Sequence, residues 1–264
     1  MLKYLFIFLF SGIVFAETDI SDYIFRLTIG EINYQHTLQN FPNGQNFLNE
    51  VGPSHIESAF FHLKNLNSNY IFESPPEVVI VRSFVDFFIH YLELSIMYQK
   101  KAPLGQVNFN PIQYSYEKTL NEFSFFDPYH NRVVFHIDPL LRLSAQLQSQ
   151  PEPTTQEYRI YFQALLIHEL THAMQEKQNG LVTQMLHSKT QVEQDIRDLI
   201  IEADAINQQE KHLQQIKNPP EWAIESHFKI YILGGKNNDQ LGNTLKVRRF
   251  LASNKLQCAK LFGN

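Results

Sequence analysis

His168, Glu169 and His172 stand in the string His168-Glu169-Leu170-Thr171-His172, the only HExxH in the 264-residue chain. On a helix, residues four apart lie on one face, so the two imidazoles can aim nitrogens at a single cation while Glu169 borders the same arc. Imidazole pairs suit zinc, and a catalytic zinc takes three protein ligands and keeps a fourth position open. A third ligand is therefore required. Gln191 to Gln209 reads as a helix whose apolar face is Val192, Ile196, Leu199, Ile200, Ala203 and Ile206, with Asp195, Asp198 and Glu202 along one flank and Asp204 on the other. Glu202 is the expected ligand. It follows His172 by 30 residues, room for a connection and an antiparallel return, and its side chain can reach inward from the edge of the buried stripe. Asp198 and Asp204 are the alternatives. Asp198, one turn earlier, is also placed to accept a hydrogen bond from a ligand histidine, whereas Asp195 reads as part of a solvated flank.

The elements that must hold these residues are legible around them. Thr154 and Glu157 have the reciprocal capping spacing, and the helical pattern runs unbroken to Asn179-Gly180, a C-terminal stop. This predicts a helix of roughly 24 residues, about 36 Å long. Phe162, Leu165, Leu166, Leu170 and Ala173 define its apolar side, and Glu169 falls within that side. Burying a carboxylate costs several kcal/mol unless it is compensated, so Glu169 calls for a partner such as a metal-held water. Upstream, Ser54-His55-Ile56-Glu57 caps a helix from about 55 to 67, and Val78-Val79-Ile80-Val81 marks a strand over 77–81. A helix spans 83–99, and Asn131 to Ile137 is a second strand. The stretch 103–130 is aromatic but shows no period.

His168-Glu169-Leu170-Thr171-His172 followed by Glu202-Ala203-Asp204-Ala205 resembles the zincin metallopeptidases, in particular the gluzincin branch, and is similar to small bacterial metallopeptidase domains carrying the same two elements. The resemblance covers about residues 154 to 210, less than a quarter of the chain. It implies a zincin-like α+β fold, predominantly helical, with a small sheet packed on an active-site helix and a second helix supplying the Glu ligand. It also implies that an edge strand of that sheet aligns an extended substrate, for which residues 132 to 137 are the candidate.

The chemistry would be hydrolysis of peptide bonds in a protein or peptide substrate. Zinc lowers the pKa of bound water towards about 7 and polarises the carbonyl under attack. Glu169 would take the proton of the water and pass it to the leaving amine. Candidates for an oxyanion donor are Tyr129, His136, His212, His227 and Tyr231, none favoured by the sequence. An inactive scaffold that retains the metal site, or a hydrolase of a non-protein amide, are the other functions these residues allow.

The remaining sequence bounds the setting. With 44% hydrophobic and 19% charged residues the chain can build a sizeable core, and a formal charge of -5 supplies no field for nucleic acid. Residues 1–16 place Lys3 before an apolar run and end in Val14-Phe15-Ala16, the pattern of a secretory signal cleaved after Ala16. That run is too short to cross a bilayer, and no later stretch is long and apolar enough. A secreted or periplasmic location follows as the expectation. Cys258 is the single cysteine, so no disulfide forms within the chain. The division expected is a signal over 1–16, an N-terminal subdomain over 17–150 and a helical metallopeptidase subdomain over 151–264. In the last part, Trp222 reads as a packing anchor and the basic tail as a solvated face.

Overall fold

The structure, a computed structural model, describes residues 17–66, 74–101, 109–137, 152–188 and 191–216. The signal segment, Trp222, His227, Tyr231, the basic tail and Cys258 lie outside them. In chain order the elements are α1 (Glu17–Leu38), α2 (Pro42–Glu50), α3 (Pro53–Leu66), β1 (Glu77–Val81), α4 (Phe84–Lys101), α5 (Pro111–Asn121), β2 (Ser124–Asp127), β3 (Arg132–His136), α6 (Thr155–Asn179), α7 (Leu181–Leu186) and α8 (Gln191–Gln215). The architecture is α+β and mostly helical, with one three-stranded sheet.

The sheet order is β1-β3-β2. β1 runs parallel to β3, with Glu77 opposite Arg132 and Val81 opposite His136, and β2 pairs antiparallel with β3, with Ser124 opposite Phe135 and Asp127 opposite Arg132. Residues 132–136 are therefore the central strand, hydrogen-bonded on both sides. A substrate cannot add to a strand whose ladder is already complete, so the edge role expected of 132–137 is not available to it. Among the described residues the edges are β1 and β2.

Alternation along the strands builds two cores. Val133 and Phe135, with Phe126 of β2, face the cluster around α6, while Val134, Phe125 and Val81 pack with Phe87 and Tyr91 of α4. His136 has the parity of Val134, and its ring lies against Phe84 and Phe87, on the side of the sheet away from α6. A third cluster joins Leu27 of α1 to Phe88, Leu92 and Ile96 of α4 and Ile112 of α5.

α6 is the axis of the molecule. From Tyr158 to Gln175 every residue is buried except Arg159 and Gln163. The one-sided apolar stripe of the sequence reading is thus too narrow. The helix is buried almost all round, with polar His168, Glu169, Thr171, His172 and Gln175 among its buried residues, and is surrounded by α2, α3, α7, α8, β2 and β3. Its ends follow the expected chemistry. Thr154 and Glu157 form a complete capping box, and Gly180 closes the helix in the left-handed region at φ 60°. The largest core cluster takes residues from both sides of position 150, from Leu38 to Leu213.

Candidate metal centre

His168, Glu169 and His172 sit in the middle of α6, where packing on all sides fixes their rotamers, and Glu202 projects from α8 against them. His168 Nε2 lies 3.1 Å from His172 Nε2 and 3.2 Å from Glu202 Oε2. His172 Nε2 lies 3.3 Å from Glu202 Oε1. This trio is the group of metal-ligating side chains found among the described residues. Around a tetrahedral zinc with bonds of about 2.0–2.1 Å, neighbouring ligand atoms stand about 3.3 Å apart, so the triangle matches one face of such a site.

Hydrogen bonding alone cannot satisfy the triangle. Each Nε2 carries at most one proton. If both are protonated, the contact between the rings sets two N–H groups against each other. If one is bare, it can accept from its neighbour, but that neighbour's proton is then turned away from the carboxylate. A cation at the centre satisfies all three contacts together, and two imidazoles with one carboxylate are a zinc-compatible set.

Electrostatics in the metal-free protein follow from the same closeness. Burial pushes the His172 imidazole down, but the Glu202 carboxylate outweighs it and holds the group up at about 9. Burial would raise Glu202, and the two imidazoles instead keep it well below the usual carboxylate range. Glu169, only 5% exposed, is pushed up by burial, against the lowering effect of His168, His172 and a hydrogen bond from Ser124.

That hydrogen bond brings in a residue the sequence reading missed. Ser124 Oγ donates to Glu169 Oε1 at 2.6 Å. Ser124 has the parity of Phe126 and so faces α6, which makes β2 the sheet edge beside the site. Gln175 is a second missed residue. Its Oε1 is 3.0 Å from His172 Nδ1, and its Nε2 donates to the Ile201 carbonyl and to Asp204 Oδ2, both at 3.0 Å. Its position one turn after His172, on the same face, is a signal that could have found it. Ser124 had no comparable local signal.

The other candidates are placed as follows. Asp204 receives Gln175 and, at 3.3 Å, Gln208. Asp198 is exposed, and its charge acts on Tyr114 and Lys118 of α5. The acceptor seen at the Nδ1 of His172 is Gln175. Of the possible oxyanion donors, His136 is held by burial at about 3 on the far side of the sheet. His212 packs against His62, ten residues beyond Glu202 on α8 and so about 15 Å along the axis. Tyr129 meets His187 Nε2 at 3.0 Å near the β2–β3 turn.

No known protein family, characterised relative or solved structure matches the chain.

Proposed function

We propose that the chain is a zinc-dependent metallopeptidase with a zincin-like arrangement, hydrolysing peptide bonds in an exported compartment. The observation that carries this reading is the triangle of His168 Nε2, His172 Nε2 and a Glu202 oxygen, 3.1–3.3 Å on each edge, with Glu169 one residue from the first ligand. The export component rests on the pattern of residues 1–16. No helix among the described residues is long and apolar enough to cross a membrane.

Zinc in this triangle supplies a lowered pKa for water and a Lewis acid for the substrate carbonyl. The chain's own residues do the rest. His168, His172 and Glu202 would hold the ion, and three protein ligands would leave a tetrahedral zinc one position for water. Glu169 Oε1 is tethered by Ser124, which leaves Oε2 to take the proton from water and return it to the leaving amine. An extended substrate is aligned by β2, the edge strand that carries Ser124, in place of the central strand.

The test is Glu169→Gln, assayed for zinc content and for cleavage of a panel holding peptides, denatured protein and cell-wall amides. The expected result is zinc retention within a few-fold and loss of peptide cleavage by about 1,000-fold or more. Unchanged peptide cleavage overturns the role of Glu169. A zinc-loaded wild type that cleaves no member of the panel, or cell-wall amides alone, overturns the peptidase reading.

A further inference from the structure

The side-chain amide of Gln175 stands between the two ligand helices and is almost fully buried, at 2% exposure. Its nitrogen is 3.0 Å from the Ile201 carbonyl and 3.0 Å from Asp204 Oδ2. Both are acceptors, so an NH2 group must face them and the amide cannot be turned round without opposing two oxygens to a third. The amide oxygen is consequently fixed towards His172 Nδ1, at 3.0 Å. An oxygen that can only accept requires the proton of the neutral imidazole to sit on Nδ1. The lone pair is then on Nε2, the atom 3.3 Å from Glu202 Oε1 and 3.1 Å from His168 Nε2.

The same amide also sets the second helix. Ile201 and Asp204 flank Glu202 on either side along α8, so the two bonds from Gln175 Nε2 fix the register at which Glu202 meets α6. Gln208 donates to the other oxygen of Asp204, at 3.3 Å, which holds that carboxylate towards Gln175.

We infer that Gln175 is the positioning residue of the metal centre: it selects the Nε2-ligating tautomer of His172 and, through Ile201 and Asp204, holds Glu202 in reach of the same ion. This inference rests on the metal reading above and adds to it a named residue and a directional hydrogen-bond chain, His172 to Gln175 to Asp204. Ligand histidines depend on such partners for ring orientation and basicity, and losing one typically costs ten- to a hundredfold in metal affinity.

The experiment uses the full chain, with zinc itself as the probe. Gln175→Met keeps the length of the side chain and removes both polar atoms. It is expected to weaken zinc binding about 10- to 100-fold in chelator competition. In the metal-free protein, at a pH where the imidazole is neutral, 15N spectra should show wild-type His172 protonated on Nδ1 and the variant as a mixture of tautomers. A combined Gln175→Glu and Asp204→Asn variant keeps an oxygen to accept from His172 Nδ1 and restores the bond to residue 204, but sets a carboxylate oxygen against the Ile201 carbonyl. The Nδ1-protonated tautomer should therefore be retained in it while zinc affinity falls below wild type, a separation of the two roles that is readable even if the methionine variant folds poorly. Wild-type affinity and tautomer in Gln175→Met, or loss of the Nδ1-protonated tautomer in the combined variant, overturns the inference. Absence of zinc binding in wild type would sink the metal reading, while the tautomer measurement still decides the part played by Gln175.

Discussion

Ser124 on β2 and Glu169 on α6 are 45 residues apart in sequence, and the hydroxyl of one donates to the carboxylate of the other at 2.6 Å. The bond ties the sheet edge to the residue assigned the proton transfer. It also lowers the pKa of a carboxyl that burial raises. Ser124→Ala removes the tether and the lowering effect together. The general base must be ionised, so the acidic limb of the rate–pH profile should move to higher pH. The rate below that limb should fall by about tenfold, the order of one hydrogen bond to a charged group. Zinc content should not change.

Zinc binding should depend on pH through His172. Metal-free, its pKa of about 9 lies above the usual value of 6.5, held up by Glu202 against burial. Below 9 zinc must displace a proton from this imidazole, so affinity should rise about tenfold per pH unit between 7 and 9 and level off beyond. Titration calorimetry in buffers of different ionisation enthalpy should count about one proton released at pH 7. For the metal-free fold the sign is opposite. The stabilisation from a raised pKa is fully present below about 6.5 and is lost as pH rises through 9. Thermal unfolding of the metal-free chain should show that decline, and saturating zinc should reduce it.

Glu202 and Asp198 lie one turn apart on α8 and separate cleanly by experiment. Glu202 touches both imidazoles, whereas Asp198 is exposed. Glu202→Gln should reduce zinc affinity by about 100-fold or more, since it removes one of three ligands and its charge. It should also lower the pKa of His172, which loses the carboxylate holding it up. Asp198→Asn should alter affinity by less than about threefold. Equal losses in the two variants would remove the distinction between them.

Local chemistry made part of this site readable, and pairing hid the rest. The capping box at Thr154, the stop at Gly180 and the ligand spacing are signals contained within a few residues, and each has its counterpart in α6. β3 was likewise legible as a strand from Val133-Val134-Phe135, but its central place depends on partners 77–81 and 124–127 that no local pattern names. β2 is only four residues long, and α5 ahead of it is short and largely polar. The capping pair Asn110-Pro111 was the available clue to α5, since Asn110 accepts from the amides of Ile112 and Gln113. α8 runs to Gln215 rather than Gln209 because burial of Gln208, Gln209 and His212 continues the inward face with polar side chains, which an apolar periodicity does not register.

Asp127 closes the β2–β3 hairpin and has no exposed side-chain surface. Its Oδ1 accepts from the backbone amides of Tyr129 and His130, and its Oδ2 meets His130 Nδ1 at 2.7 Å and Arg132 Nη2 at 3.1 Å. These bonds shape the turn that ends in Asn131, a non-glycine residue in the left-handed region at φ 49°. Asp127→Ala would strip two amides and a mostly buried guanidinium of their acceptor. Arg132 keeps Glu93 at 2.6 Å, so the loss should fall at the low end for a broken buried pair, about 3 kcal/mol in urea unfolding. Asp127→Asn can still accept from the amides and should cost less. Because Ser124 lies on the strand that Asp127 terminates, its reach to Glu169 depends on that hairpin holding its register. Asp127→Ala should therefore lower peptide cleavage at temperatures where the variant is still folded, by about as much as Ser124→Ala does. Adding Ser124→Ala to it should cost little more, since the two changes remove the same contact. Additive losses would instead place the effect of Asp127 outside the tether.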